Sequence, residues 1–356
     1  MKNAINSGNR KLHMDLLRII AILFVIYTHT EENGYYLYAF DCPIYLKVIY
    51  IATSLLVAVA VPIFFMISGA LLIDKEESLK DLYLKRVLRM VIVLLLFSVI
   101  QYVYQHFMFG EQLSFKVFIQ SIIGSSIPPK YWFLYAYIAY LCGLPLLRKL
   151  AKAMTDKDYK YLFVLFLIVE GVLAAVAFFV GVDEINGFFA IPFFNRVIIY
   201  PLLGYYLEKK VPQEKYNKKG LGIWILAMIA VLVFMVAMTL VRNLPYEEFT
   251  IYDKGLFTSG FTIVLCAGVY YIIKMLFIKG NAPKALSNVL VTLSSTVFGV
   301  FLIENIIRDT LMPVYYAIAS VIGKSLGCWV YVIFTFLVGA VIIFIIKLIP
   351  GVKKFL

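Results

Sequence analysis

Residues Met14–Thr30 read MDLLRIIAILFVIYTHT and decide the fold, because they form an apolar stretch long enough to enter a bilayer as one helix. Arg18 lies near its start and His29 near its end. At about 100° per residue, the steps between them exceed three full turns by only about 20°, so both side chains lie on one face, roughly 16 Å apart. Asp15 lies on the same side. Ionisable groups are costly against lipid, so we expect this stripe to face one polar cavity and to mark a functional site.

A plainer interpretation of this stripe stays open at the level of sequence. Arg18 would then mark only the cytoplasmic end of the helix, and His29 would reach for the opposite surface. The residues in the rest of the chain decide between the two interpretations.

The composition is that of a polytopic helical membrane protein. Apolar residues make up 63% of the 356 residues, charged residues only 15%, and the mean hydropathy is +0.90. The four cysteines lack CxxC or metal-ligand spacing and only three histidines are present, so no metal site is expected. Buried thiols are the expected state of the cysteines, with a nucleophilic Cys142 as the alternative.

Ten apolar runs predict an all-α integral membrane protein with about ten transmembrane helices. They form one domain over residues 1–356, without a soluble appendage. With a cytoplasmic N-terminus, the inner segments hold 25 of the 33 lysines and arginines and the outer segments seven. This asymmetry predicts a protein of the plasma membrane with both termini in the cytoplasm. It also explains the net charge of +12 without nucleic acid. The runs are 14–30, 48–73, 90–107, 131–147, 161–182, 189–207, 221–241, 256–277, 293–311 and 326–349.

Several polar side chains in or beside these spans are candidates for a site. Arg86 and Arg89 are three residues apart at the predicted inner surface, where two guanidinium groups suit a phosphate-rich ligand; ordinary positive-inside charge is the alternative. Arg196 and Glu304 fall within spans. Arg196 could form a structural ion pair with Glu304 or Glu170, or could contact a ligand directly. Close helix packing is the expected role of the small residues at Ser68 to Ala70, rather than a serine nucleophile.

Four stretches of the chain resemble motifs of the membrane acyltransferase-3 family of bacterial O-acyltransferases. They are the Arg-x10-His pattern in DLLRIIAILFVIYTH (15–29), the segment FFMISGALL (64–72), the RxxR of Arg86 to Arg89, and YWFLYAYIAYLCGLPLL (131–147). The resemblance covers most of the chain, and the ten-span architecture of the family agrees with the ten runs. Of these motifs, Arg-x10-His and RxxR, in this order and at these spans, are the more specific.

The chain departs from the family pattern at two positions. The usual HLW of the family appears here as Lys130-Tyr131-Trp132, and its late GIYLIH appears as Gly299 to Glu304. A carboxylate thus replaces an imidazole at Glu304, where it could orient a partner or relay protons; alternatively, the change could reflect a different acceptor. Trp132 is expected either to anchor the chain at the membrane interface or to support the site.

The resemblance implies transfer of an acyl group, typically acetyl, from cytoplasmic acyl-CoA to a hydroxyl or amine of a cell-surface glycan or a similar acceptor. Arg86, Arg89 and Arg18 would then hold the donor, Asp15 would steady Arg18, and His29 would be the general base. The donor would be acetyl-CoA or another acyl-CoA, with no metal. The oligomeric state stays open.

Two other functions are compatible with the same residues. A non-enzymatic transporter could export an anionic metabolite or a lipid-linked sugar along Arg18, Arg196 and Glu304, although matching inverted halves are not evident in the sequence. A regulatory membrane protein could have kept the fold and lost the chemistry, since Lys130 and Glu304 depart from the family pattern.

Overall fold

The computed structural model describes residues 11–110, 113–180, 182, 191–243, 255–278 and 282–356, and it is helical throughout, without a strand among these residues. Residue 181 of the fifth predicted span and residues 189 and 190 of the sixth lie outside them. The α-helices are α1 Leu12–Thr28, α2 Ile44–Val57, α3 Ala60–Leu72, α4 Leu79–Leu82, α5 Leu88–Phe109, α6 Phe115–Gly124, α7 Trp132–Ala153, α8 Asp156–Phe166, α9 Ala174–Phe179, α10 Arg196–Tyr205, α11 Lys218–Asn243, α12 Thr262–Leu276, α13 Lys284–Thr310, α14 Met312–Ile322 and α15 Lys324–Ile346.

Within the described residues, seven helical segments are long and apolar enough to cross a membrane. The remaining three predicted spans correspond to α1 with 17 residues, α10 with ten and α12 with 15. At about 1.5 Å per residue these helices are shorter than a bilayer core of about 30 Å. The total of ten therefore stays a prediction. The seven segments are Ile44–Leu72, Leu79–Phe109, Pro129–Ala153, Asp156–Phe179, Lys218–Asn243, Lys284–Thr310 and Lys324–Ile346.

Helix α1 is the central element of the bundle and contacts α2, α3, α12, α13 and α15. Its apolar residues pack on several sides, so Leu17, Ile22 and Ile26 are completely buried. Helix α13 runs parallel to α1, because Asp15 bonds Ser294 near one end and His29 bonds Glu304 near the other. We call these the arginine end and the histidine end of the bundle.

Helices α3 and α10 are packed with their backbones in contact, because each supplies a glycine at the crossing. A Cβ atom on Gly69 would lie 2.0 Å from the carbonyl oxygen of Pro201, and one on Gly204 would lie 2.0 Å from that of Met66. Small residues allow this approach between membrane helices. The hydroxyl of Ser68 donates to the carbonyl of Phe64 at 2.9 Å, as is usual for serine within a helix.

A π-helical turn at Tyr83–Val87 joins α4 to α5 and contains Arg86. Such a turn changes the phase of the helix locally and is frequent at functional sites. The helix continues through Arg89 into the membrane-spanning part, so Arg86 and Arg89 lie on one continuous helical segment at the arginine end.

Candidate active site

A cavity of about 350 Å³ lies at the arginine end of the bundle. We call it the arginine cavity, because Arg18 from α1 and both arginines of the RxxR motif line it. Three guanidinium groups on a largely apolar wall are suited to hold an anionic group while a less polar part of the ligand lies deeper. The rest of the wall consists of Phe64, Ile67, Ser68, Leu71, Leu72, Met90, Phe133, Tyr137, Ser294, Val297, Phe298 and Phe301.

Arg18 and Arg89 of this cavity are each held by an acceptor from the chain. Arg18 donates to Asp15 at 3.0 Å, and Asp15 also accepts a hydrogen bond of 2.7 Å from Ser294. Arg89 donates through one terminal nitrogen to the carbonyl of Phe355 at 3.2 Å. The Nε atom of Arg89 is buried without a hydrogen-bond partner among the described residues, so the guanidinium retains donor capacity.

Arg86 is held by Glu77, which lies in the loop between α3 and α4. Its Nε atom is 3.1 and 3.0 Å from the two carboxylate oxygens, and Arg148 from α7 donates to the same carboxylate at 2.8 Å. Burial acts to raise the pKa of Glu77, but the hydrogen bonds from Arg148 and Arg86 outweigh it and lower the pKa below its usual range. Glu77 is therefore ionised at neutral pH.

A second cavity, of about 200 Å³, lies at the histidine end. We call it the histidine cavity. It is more polar than the arginine cavity, with acidic, basic and amide side chains on its wall, as a site for a hydrogen-bonding ligand requires. Its lining residues are His29, Glu31, Tyr104, Gln105, Phe109, Pro128, Pro129, Lys130, Asn305, Arg308 and Asp309.

His29, Glu304 and Lys130 form a compact cluster at this cavity. The Nδ1 atom of His29 is 2.8 Å from Oε1 of Glu304, and Nζ of Lys130 is 2.5 Å from the same oxygen. Glu304 is completely buried, whereas the side chain of His29 retains 23% exposure. A neutral imidazole that donates from Nδ1 carries its lone pair on Nε2, so the carboxylate selects the tautomer in which Nε2 can accept a proton.

Arg308 extends this cluster by one helical turn along α13. Its Nε atom lies 4.0 Å from Oε2 of Glu304, and neither atom has a hydrogen-bond partner among the described residues. The guanidinium also contacts Asp309 at 3.4 Å. Two buried polar atoms at this separation can share a water molecule or a ligand hydroxyl.

The two cavities are separate, whereas the sequence predicted one polar cavity for Arg18 and His29. The layer between them is buried and hydrogen-bonded: Gln101 donates to Asn305 at 2.8 Å, and Tyr131 donates to the carbonyl of Leu302 at 2.5 Å. On the arginine side, the rings of Phe133 and Phe301 meet edge to face at 5.4 Å. We call these six residues the partition. The partition divides the stripe of α1 between two cavities. The sequence did not predict this division, because the geometry of α1 alone contains no information on the helices that pack around it.

A model of the family Acyl_transf_3, described as an acyltransferase domain, matches residues 12–348. The match spans both cavities and nearly the whole chain. The chain belongs to the acyltransferase-3 family. The resemblance identified in the sequence is thereby confirmed, and the protein is a membrane acyltransferase. No curated protein and no solved structure matches it.

Three of the sequence candidates lie apart from both cavities of the acyltransferase. Trp132 begins α7 and is 43% exposed. Arg196 begins α10 and is exposed, and the ion pairs of the described residues connect Glu304 to His29, Lys130 and Arg308 rather than to Arg196. Cys142 is exposed on α7 and also lines neither cavity.

Four residues at or beside the candidate site were not singled out in the sequence. Glu77 lies in a loop and Arg148 near the end of α7, both beside other charged residues, so neither stood out. Gln101 gave a usable signal, since it is an amide within an apolar run. Arg308 gave another, since it follows Glu304 by four residues and therefore lies on the same helix face.

Proposed function

We propose that this acyltransferase moves an acyl group, typically acetyl, from cytoplasmic acyl-CoA to a hydroxyl of a cell-surface glycan or a related acceptor, with His29 as general base. The observation that carries the proposal is the 2.8 Å contact between His29 Nδ1 and Glu304 at a cavity wall. That contact leaves Nε2 to take a proton from an acceptor.

The donor binds at the arginine end in this proposal. CoA carries several phosphate groups, and Arg86, Arg89 and Arg18 line one cavity whose remaining wall is mostly apolar. Guanidinium groups bind phosphate oxygens through paired, charge-assisted hydrogen bonds. The pantetheine arm, which is less polar than the nucleotide, would follow the apolar wall toward the partition and deliver the thioester to His29.

The chemical step uses one proton and one leaving group. Nε2 of His29 removes the proton from the acceptor hydroxyl as its oxygen forms a bond to the thioester carbonyl carbon. Arg308, a cation on the wall of the histidine cavity, stabilises the negative charge that develops on the carbonyl oxygen. The carbon–sulfur bond then breaks, and the CoA thiolate takes the proton from the imidazolium, which yields an ester and free CoA.

The sidedness of the reaction follows from the charge distribution in this proposal. The connections between spans at the arginine end include the basic segments 74–89, 148–160 and 208–220, with five lysines or arginines each. By the positive-inside rule this end faces the cytoplasm, where acyl-CoA is made, and both termini of the chain are cytoplasmic. The histidine cavity then opens outward in the plasma membrane, toward the acceptor.

The test uses the purified protein in nanodiscs with radiolabelled acetyl-CoA, and methyl glycosides of glucose, galactose, mannose and rhamnose as acceptors. We expect label on a glycoside as a base-labile ester, together with release of CoA, and loss of both in His29→Ala. The His29→Ala variant should still bind acetyl-CoA, whereas Arg86→Ala should bind it more weakly. Absence of acetyl-CoA binding by the wild type would contradict the donor site, and solute flux without a donor in vesicles would instead favour the transporter.

A further inference from the structure

Glu77 connects three parts of the chain beside Arg86 of the arginine cavity. Its carboxylate lies in the loop after α3, and it binds Arg86 on the helical segment of α5 and Arg148 on α7. The side chain of Glu77 is only 9% exposed, so both contacts are shielded from water. Arg148 is fixed further, because its Nε atom donates to the carbonyl of Leu72 at 3.0 Å.

The edge of Arg86 that Glu77 occupies decides what the residue can still bind. Both short contacts to the carboxylate run from Nε, at 3.1 and 3.0 Å. A guanidinium has five N–H donors in a rigid plane, so engagement of Nε leaves the two terminal nitrogens for a second, bidentate partner. Arg86 lines the arginine cavity, where that partner would be an anionic group of the ligand.

The charges around Glu77 also favour an anion. Arg86 and Arg148 together carry two positive charges against one carboxylate, so the trio retains a net positive charge. A single guanidinium on a long side chain loses considerable conformational entropy when it is fixed for binding. A carboxylate that holds it in advance removes part of this cost from the binding step.

We propose that Glu77 is a positioning residue of the donor site, which orients Arg86 so that its terminal nitrogens bind a phosphate group of the acyl donor. Arg148 holds the carboxylate of Glu77 in place by a second ion pair. This inference rests on the proposed function, because it requires a phosphate-bearing donor in the arginine cavity. It adds to that function a residue outside the motifs of the family.

The experiment compares two donors that share the acyl arm, of which only one carries the phosphorylated nucleotide. Acetyl-CoA carries the nucleotide, whereas S-acetylpantetheine has the same acyl arm without any phosphate. Equilibrium binding of each is measured on the full-length protein in nanodiscs for the wild type, Arg86→Ala, Glu77→Asp, Glu77→Gln and Arg148→Lys. Glu76→Asp is the matched control, since Glu76 is the neighbouring residue and its side chain is 91% exposed.

Glu77→Asp keeps the charge and shortens the reach by one methylene, so it tests orientation alone. We expect it to raise the Kd for acetyl-CoA by about tenfold or more, as the loss of a hydrogen bond to a charged group implies, and to leave the Kd for S-acetylpantetheine unchanged. Arg148→Lys should act in the same direction. Glu76→Asp should leave both constants unchanged, and a general defect of the fold would weaken both donors equally.

Two results would overturn the inference while leaving the proposed function intact. One is selective loss of acetyl-CoA binding in Arg86→Ala, combined with wild-type binding in both Glu77→Asp and Arg148→Lys. The other is tighter acetyl-CoA binding in Glu77→Gln, which would mean that the carboxylate competes with the donor for Arg86. Equal effects of Arg86→Ala on both donors would contradict the donor site itself, and with it the role of Glu77.

Discussion

Lys130 and Glu304, the two positions at which this acyltransferase departs from the motifs of its family, are in contact with each other. Nζ of Lys130 lies 2.5 Å from Oε1 of Glu304, and their side chains are 11% and 0% exposed. Where the family pattern has an imidazole at each position, this chain has an ion pair. The two departures are thus one paired change, and the same carboxylate oxygen lies 2.8 Å from Nδ1 of His29.

We expect the ion pair between Lys130 and Glu304 to be required as a unit. Lys130→Met or Glu304→Gln alone leaves the other charge buried without its partner and should cost about 3–5 kcal/mol of stability, whereas the double variant should lose clearly less than the sum. Thermal unfolding in detergent measures this. Lys152→Met is the control, because Lys152 is 53% exposed and should give almost no change. Additive effects would contradict the coupling.

We expect His29→Ala to lower kcat by about 10²–10⁴-fold, because a general base would be lost while donor binding at the arginine end would remain. Glu304→Gln should also lower kcat, since an amide can donate to Nδ1 and favour the wrong tautomer. Initial rates at saturating acetyl-CoA measure both effects. His106→Ala serves as the control, because His106 lines neither cavity. Equal losses in all three variants would indicate damage to the fold instead.

We expect the protein to lose stability at acidic pH as Glu77 becomes protonated. Its pKa in the folded protein is lowered below the usual value of 4.5, so the stability it contributes is fully present above that pH. This contribution is lost as the pH falls through the lower, folded-state value. The melting temperature of the wild type should therefore drop below about pH 4.5 more steeply than that of Glu77→Gln. Glu76→Gln should follow the wild type; an identical pH profile for Glu77→Gln would refute the claim.

We expect Gly69→Ala to destabilise the bundle by about 1–3 kcal/mol or more, because the added Cβ meets the backbone of α10 and neither helix can yield without moving. Gly204→Ala should behave alike. Gly143→Ala on α7 is the matched control, since a Cβ there has open space and a helical alanine is favoured over glycine. Unfolding in detergent distinguishes the two kinds of site. Similar effects at Gly69 and Gly143 would show that the close packing is unimportant.

We expect the arginine end to face the cytoplasm, and single cysteines test this in a variant lacking the four native ones. Lys215 and Lys324 are both exposed, the first between α10 and α11 and the second at the start of α15. An impermeant maleimide on intact cells should label Lys324→Cys and spare Lys215→Cys, with both labelled after lysis. The reverse pattern would exclude a cytoplasmic donor site.

The helices were largely predictable from the sequence, because apolar length is a local property. Each predicted span overlaps a helix, and the RxxR arginines lie in one cavity with Arg18. What the sequence could not supply were contacts between distant segments. Lys130 meets Glu304 across 174 positions and Arg148 meets Glu77 across 71, and neither spacing carries a periodic signal. The division of the expected cavity likewise depends on rings supplied by α7 and α13.

The partition has a consequence for the cell as a whole. An enzyme that transfers a group across a membrane needs a path through the bilayer. If that path stayed open, protons and ions would leak through it and dissipate their gradients. In the proposed reaction, Phe133 and Phe301, backed by the Gln101–Asn305 amide pair, would block that route. In the proposed reaction the slender thioester arm would have to part these rings, so the route would open only while it is filled.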